Sequence, residues 1–337
     1  NLLVVSTSIS TLDSVDLSTA SQLTLAGDAT TTATDAASLI TTLAANSGAN
    51  DTFDIANNTL TVSDYTTQDL SAIQAGGSHA LEITTTIGAD LDSSKLTNVT
   101  TLTLGDSART DADDAVALIS GSKQLIVNGQ TLTIDGYKDQ TLTDINSTAS
   151  NSAVIVKTIS TDTATLDSTK LADASSVILG SSATATAAEA AAFGVNGNII
   201  DLNGQSLSVT GYSNQNISGI IRDAASDQLN VTTTSSAVLK SANFLAKGNE
   251  AIQLASTAIT LGAAATTFGS DVVGTNGLAQ AIDLGGNTLT VNQYTGGDLK
   301  PIEISGGTLD VNTAATFTAD TLSRSQTQFA TSSLPSI

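Results

Sequence analysis

The chain has 337 residues, 40% of them hydrophobic, so it has enough apolar material to bury a sizeable core. Its 11 Lys and Arg stand against 32 Asp and Glu, and the resulting charge of -21 disfavours nucleic acid and anionic lipid as partners. Cysteine, methionine and tryptophan are absent and there is one histidine, which excludes a disulfide framework and a zinc site with several His or Cys ligands.

Four tandem repeats are the main feature of the sequence. The predicted boundaries are 1–77, 78–149, 150–225 and 226–307, and a partial repeat with a terminal tail occupies 308–337. The four tyrosines of the chain occupy the same place in each repeat, namely Tyr65, Tyr137, Tyr212 and Tyr294. With only 6 Phe besides, the core must consist of Leu, Ile, Val and Ala, which suits thin layers such as stacked strands.

Each repeat from the second onward opens with a short apolar alternation. The copies are Leu81-Glu-Ile83, Val154-Ile-Val156, Leu229-Asn-Val231 and Leu309-Asp-Val311. The two-residue period predicts a strand with one buried face.

A second block predicts a strand followed by a helix. It reads LTLAGDATTTATDAASLI, LTLGDSARTDADDAVALI, VILGSSATATAAEAAAFG and ITLGAAATTFGSDVVGTN in the four repeats. Apolar spacing of three to four predicts helices over 34–45, 112–119 and 185–193, each capped by a preceding Thr or Asp. The fourth copy contains Gly269 and Gly274, which leaves its helix in question.

The third block is a turn followed by a strand that ends near the tyrosine, as in NGQTLTIDGY and NGQSLSVTGY. Asn128-Gly129, Asn203-Gly204 and Gly285-Gly286 predict turns at positive φ. Such a turn is also typical of a β-hairpin. We expect each tyrosine ring to cover one end of its repeat's core with its hydroxyl in water; the alternative is an exposed binding ladder.

Two architectures fit these blocks. In the preferred one, the chain is mainly β, and each repeat adds rungs to a parallel β-solenoid with a short helix per repeat. The absence of proline-rich or charged linkers favours it. The alternative is a string of small strand-rich α+β domains, which the hairpin signal favours.

The phrases IDLNGQSLSV and IDLGGNTLTV, in a Thr-, Ser- and Ala-rich chain without cysteine, resemble repeats of bacterial surface proteins. S-layer proteins, type I secreted adhesins and autotransporter passengers contain such segments. The resemblance implies an extracellular, non-catalytic protein, often stabilised by calcium. The calcium-binding nonapeptide of the repeats-in-toxin family is absent, and Gly296-Gly297-Asp298 is only a fragment of it.

Residues for catalysis are scarce. His79 is the only histidine, in a Gly-Gly-Ser-His stretch, and neither a G-x-S-x-G elbow nor a phosphate-binding glycine loop occurs. We therefore expect no enzyme activity and no certain cofactor. A carboxylate pair for glycoside hydrolysis stays open, although few rings are present for a sugar to stack on.

One acidic cluster is a candidate calcium site of structural type. It consists of Asp106, Asp111, Asp113 and Asp114. Calcium takes six to eight oxygen ligands, which closely spaced Asp and backbone carbonyls supply. The alternative is that these carboxylates cap a helix and complement its dipole.

These observations predict a non-catalytic structural protein of the bacterial cell surface, exported and extracellular, that assembles with copies of itself into an S-layer or fibre. The chain begins at Asn1 without a basic leader, as expected of a processed chain or a piece of a longer one. No apolar run is long enough for a membrane span. The first alternative is the stalk of a large adhesin. The second is a polysaccharide-active β-helix protein, with cell-surface polysaccharide as its partner.

Overall fold

The computed structural model describes residues 3–6, 10–47, 53–195, 197–245 and 250–313. This part of the chain is mostly β, with short strands and a few helices. It divides into two compact units, one formed by 1–157 with 169–175 and the other by 158–168 with 176–337. The predicted tail at 323–337 and the first two residues lie outside the described ranges.

The strands of the first compact unit are β1 Leu3–Ser6, β2 Ser10–Thr11, β3 Gln22–Leu25, β4 Ala29–Thr32, β5 Phe53–Asp54, β6 Thr59–Tyr65, β7 Ile73–Gln74, β8 Ala80–Thr85, β9 Ala89–Leu91, β10 Thr101–Thr103, β11 Ala108–Asp111, β12 Gln124–Ile126, β13 Thr131–Tyr137, β14 Ile145–Asn146 and β15 Ala153–Thr158. Its helices are α1 Ala33–Ser47 and α2 Ala112–Ile119.

The strands of the second compact unit are β16 Ala164–Thr165, β17 Ser176–Ile178, β18 Ala183–Thr186, β19 Ile199–Asp201, β20 Ser206–Tyr212, β21 Ile220–Ile221, β22 Gln228–Thr233, β23 Ala237–Leu239, β24 Thr257–Thr260, β25 Ala265–Phe268, β26 Ile282–Asp283, β27 Thr288–Tyr294 and β28 Thr308–Thr313. Its helices are α3 Ala187–Val195, α4 Ser241–Phe244, α5 Glu250–Ala255, α6 Gly269–Val272 and the 3₁₀ helix η1 Leu278–Ala281.

Strands pair in parallel with the strand two places along the chain, except that β28 pairs with β27. In the first compact unit, sheet 1 has the order β1-β3-β5-β7, sheet 2 has β2-β4-β6-β8-β10-β12-β14, and β9, β11, β13 and β15 are neighbours in a further sheet. In the second, sheet 3 has the order β16-β18-β20-β22-β24-β26, sheet 4 has β23-β25-β27-β28, and β17, β19 and β21 are neighbours. We call the stretch of chain between two strands paired in one sheet a rung.

The hairpin alternative at Asn128-Gly129 is wrong. The strands on either side of Asn128-Gly129 are β12 and β13, which lie in different sheets. The turn itself is as predicted, because Asn128 and Gly129 have φ of 53° and 79°. An Asn-Gly turn fixes the corner of the chain and leaves open which strand the next segment pairs with. Here the partner lies a rung away.

Aliphatic side chains form the core in continuous columns. In sheet 2 the partners in register are Val62, Ile83, Leu102, Leu125 and Ile145, and in sheet 3 they are Val209, Val231, Ile259 and Ile282. All are buried. Each side chain contributes about 1.5–3 kcal/mol by leaving water. The core therefore gains its stability mainly from buried aliphatic side chains, without tryptophan, methionine or cysteine.

Three helices follow the predicted pattern. Helix α2 begins and ends at the predicted residues and buries Ala112, Ala115 and Leu118. The predicted start of α3 at Ala185 is wrong by two residues, because Ala183 and Ala185 alternate inward as part of β18. In the fourth repeat the helix shrinks to the single turn α6, and α4 and α5 form an unforeseen insertion between β23 and β24.

Candidate functional site

The polar side chains that recur in all four predicted repeats join one rung to the next. An asparagine amide near each turn donates to a leucine carbonyl one rung earlier. The pairs, with their Nδ2–O distances, are Asn58–Leu25 at 2.7 Å, Asn128–Leu104 at 3.3 Å, Asn203–Leu179 at 3.1 Å and Asn287–Leu261 at 2.7 Å.

The position of this asparagine within the turn differs between repeats. Each turn is closed by a backbone hydrogen bond from its fourth residue to its first, as from Gln205 to Leu202 and from Asn287 to Leu284, both 2.8 Å. Asn203 is the second residue of its turn, whereas Asn287 is the fourth. The bond to the neighbouring rung survives this change of position, which indicates that the bond has a structural role of its own.

A buried threonine makes a second bond between rungs in three repeats. Its hydroxyl donates to a leucine carbonyl, in the pairs Thr31–Leu12 at 3.0 Å, Thr110–Leu91 at 2.8 Å and Thr267–Leu239 at 2.9 Å. In the third repeat the equivalent strand residue is Ala185, which is also buried. The third repeat therefore lacks this hydroxyl.

A carboxylate at the start of each repeat's helix binds a serine of an earlier rung. Asp35 Oδ1 accepts from the Ser14 hydroxyl at 2.8 Å, and Asp271 Oδ1 from the Ser241 hydroxyl at 3.0 Å. The Glu189 carboxylate accepts from the Ser168 backbone N–H. Hydrogen bonds from Ser14 and then Thr32 lower the pKa of Asp35, because they stabilise the ionised carboxylate.

Asp114 belongs to the same series, since its Oδ1 accepts from the Ser93 hydroxyl at 2.5 Å and from its N–H at 2.9 Å. Asp111 caps α2 by accepting from the Asp114 N–H at 2.8 Å, and Asp113 accepts from the Gln140 amide at 2.9 Å. The capping interpretation of the acidic cluster is confirmed for Asp111.

The fourth member of the cluster, Asp106, lies before β11 and accepts from the Ser107 N–H at 2.6 Å. Among the described residues, no three His, Cys, Asp or Glu side chains come together as a group that could hold a metal ion. The calcium role of Asp106, Asp111, Asp113 and Asp114 stays a prediction, and the function proposed below does not depend on it.

His79 lies between backbone carbonyls. Its Nδ1 is 2.6 Å from the Gly76 oxygen and its Nε2 is 3.1 Å from the Asn98 oxygen. Both ring nitrogens face acceptors, so neither faces a serine hydroxyl as in a catalytic triad. These two contacts hold the His79 ring in the loop that joins the first two predicted repeats.

The four tyrosines are the last residues of equivalent seven-residue strands, β6, β13, β20 and β27, and their side chains are buried. The expectation that the rings cover the core is confirmed, and the exposed ladder is wrong. The prediction that the hydroxyls lie in water is wrong as well. The Tyr294 hydroxyl donates to the Gly297 carbonyl at 2.5 Å, and the Tyr212 hydroxyl accepts from Asn243 at 3.2 Å. The Tyr65 hydroxyl is buried and has no hydrogen-bond partner. The Leu-x-Val-x-x-Tyr pattern places the ring inward but does not specify the partner of the hydroxyl, which is Asn243, 31 residues away, for Tyr212 and Gly297, three residues away, for Tyr294.

Arg222 is a fully buried cation that sequence reasoning missed. One terminal nitrogen, Nη2, donates to the Phe244 carbonyl and lies 3.3 Å from Gln253 Oε1. Its Nε and Nη1 have no partner. Burial lowers the pKa of Arg222 to about 10. No sequence signal marks it, because its partners belong to α4 and α5, which the sequence did not predict.

Comparison with protein-family models, with curated proteins and with solved structures finds no match. None of the helices in the described ranges has the length and apolar character needed to cross a membrane.

The open strand edges are the remaining candidate site. Within the described residues, the first and last strands of each sheet have a paired neighbour on one side only, and β1 and β28 are the first and last of these along the chain. Unpaired edges offer rows of N–H and C=O groups that can pair with another strand.

Proposed function

We propose that this chain is a non-catalytic structural protein of the bacterial cell surface that assembles with copies of itself into an S-layer or extracellular fibre. In this proposal the four repeats stack as a parallel β-solenoid, each rung lying on the one before it. The parallel pairing of every second strand within each compact unit supports that arrangement.

The observation that carries the proposal is the use made of the polar side chains. The asparagine and the helix-start carboxylate form rung-to-rung bonds in all four predicted repeats, as Asn203 does with Leu179 and Asp271 with Ser241, and the threonine does so in three. Because these recurring polar side chains form hydrogen bonds between successive rungs, they favour regular stacking of the rungs. Stacking that continues from one molecule to the next gives a polymer.

Light scattering of the purified chain, first with calcium and then with chelator, tests the proposal. Growth into large assemblies supports it, and reversal by chelator gives the acidic loops a role in assembly. A single size equal to one chain under both conditions refutes self-assembly and favours the adhesin stalk instead.

A further inference from the structure

Sheets 2 and 3 each combine strands from two consecutive predicted repeats in a similar proportion. Sheet 2 takes three strands, β2, β4 and β6, from the first repeat and four, β8, β10, β12 and β14, from the second. Sheet 3 takes β16, β18 and β20 from the third repeat, and β22, β24, β26 and a parallel bridge at Glu303 from the fourth. Three strands of one repeat are thus completed by four of the next.

Among the described residues, sheets 1 and 4 each contain one part of this combination. Sheet 1 consists of the four-strand part alone, β1, β3, β5 and β7, all from the first repeat. Sheet 4 consists of the three-strand part from the fourth repeat, β23, β25 and β27, followed by β28. The three-strand part of sheet 4 and the four strands of sheet 1 would together complete a sheet of the same composition.

Strands β1 and β28 are equivalent. Val4 is in register with Leu23 as Ile83 is with Leu102 and Val231 with Ile259. By this register, Leu2-Leu-Val4 is a further copy of the strand motif, and it matches Leu309-Asp-Val311. By register, Val4 in β1 therefore corresponds to Val311 in β28, which is paired with Val291 of β27.

The fit of β28 on this edge is imperfect. Val311 is only partly buried, whereas its counterparts Ile83 and Val231 are buried. The Asp310 Oδ1 atom is buried without a hydrogen-bond partner, which costs about 1–3 kcal/mol in comparable sites. At this position β1 has Leu3, which brings no carboxylate. Exchange of β28 for β1 therefore removes an unfavourable group.

We infer that β1 of a second copy of this chain takes the place of β28 on β27, so that sheet 1 of one copy continues sheet 4 of the other. This joint rests on the proposed self-assembly and specifies where it occurs. The joint is heterologous, because β1 of one copy contacts β27 of the other, so each copy can bind one further copy through each of the two edges.

A disulfide lock tests the joint, because the chain has no cysteine of its own. Thr290 and Asp310 are in register on β27 and β28. Neighbouring strands lie about 4.8 Å apart, within the Cα spacing that a disulfide accepts. The variant Thr290→Cys with Asp310→Cys should remain one chain in size when oxidised and should assemble when reduced, although less readily than the wild type because it lacks the Asp310 carboxylate.

The control is Thr266→Cys with Thr290→Cys, which ties β25 to β27 and leaves the exchange free. It should assemble in both redox states. Assembly of the oxidised Thr290–Asp310 lock to the wild-type extent overturns this joint while self-assembly stands. Failure of the wild-type chain to assemble at all refutes the proposed function and the joint with it.

A cross-link between copies gives the positive result. Single variants Leu3→Cys and Thr290→Cys are mixed, assembled and oxidised; the joint predicts a disulfide-linked pair of chains. A mixture of Leu3→Cys with Thr266→Cys should give at least tenfold less, because β25 is one strand further from the edge. Equal yields in the two mixtures contradict the predicted register.

Discussion

The Asn203 side chain donates to the Leu179 carbonyl oxygen, 3.1 Å away and 24 residues earlier in the chain. The fourth repeat makes the equivalent bond with Asn287, from a different position of the turn, where Gly285 stands in place of Asn203. Two different turn sequences, Leu-Asn-Gly-Gln and Leu-Gly-Gly-Asn, therefore form the same hydrogen bond from an asparagine side chain to a leucine carbonyl of an earlier rung.

Asn203→Gly should lower the free energy of unfolding by about 1 kcal/mol, because glycine keeps the positive φ of 47° but donates no side-chain bond. Adding Gln205→Asn reproduces the turn of the fourth repeat and should recover most of the loss. Urea unfolding of the two variants and the wild type measures both effects. Equal stabilities of the single and double variants would contradict the idea that the asparagine can form this bond from either turn position.

Gly180→Ala should destabilise the protein by about 2–3 kcal/mol. A Cβ at Gly180 would lie 2.4 Å from the Thr158 carbonyl oxygen, so one rung must move away from the other. Gly194→Ala is the matched control, since nothing lies within 4 Å of its Cβ and alanine favours helix α3. Thermal unfolding should show a fall in Tm for the first variant and no fall for the second.

Removal of a tyrosine hydroxyl should have opposite effects at two equivalent positions. Tyr65→Phe removes a buried hydroxyl without a partner and should leave stability unchanged or raise it by about 1 kcal/mol. Tyr294→Phe removes the donor to the Gly297 carbonyl and should lower stability by about 1 kcal/mol. Chemical unfolding of both variants distinguishes these effects, and equal losses would refute the difference in hydroxyl environment.

The contribution of Tyr212 to stability should fall as the pH rises from about 10 to about 12. Burial raises the pKa of Tyr212 to about 12 from 10.0, so the unfolded state releases its proton first and is favoured in that window. Over this window, a rise in pH should lower the free energy of unfolding of the wild type relative to that of the variant Tyr212→Phe. The difference between variant and wild type isolates Tyr212, because Arg222, with its lowered pKa, acts in the opposite direction in both. Identical slopes would contradict the buried hydroxyl.

The parts of the fold that depend on nearby residues could be predicted from the sequence. The spacing of Ala112, Ala115 and Leu118 predicts α2 to its last residue, and Asn128-Gly129 predicts the turn. Strand pairing could not be predicted in this way, because the partner of a strand lies a rung away and the turn does not specify it. The hairpin expectation failed for that reason.

The candidate site was predictable only in part. The acidic residues around α2 form a cluster in the sequence. The hydrogen bond from Ser93 to Asp114 spans 21 residues, however, so no local sequence pattern predicts it. The first copy of the Leu-x-Val motif, at Leu2 and Val4, became recognisable only through the register of β1 with β3. Polar contacts between rungs depend on which residues the stacking brings together.

Sedimentation velocity of the wild-type chain over a concentration series tests the central claim most directly. Self-assembly predicts that the sedimentation coefficient rises with concentration toward large species. Electron microscopy of the same sample should then show a lattice or fibres with a regular repeat. A single species with the mass of one chain at every concentration would contradict the account.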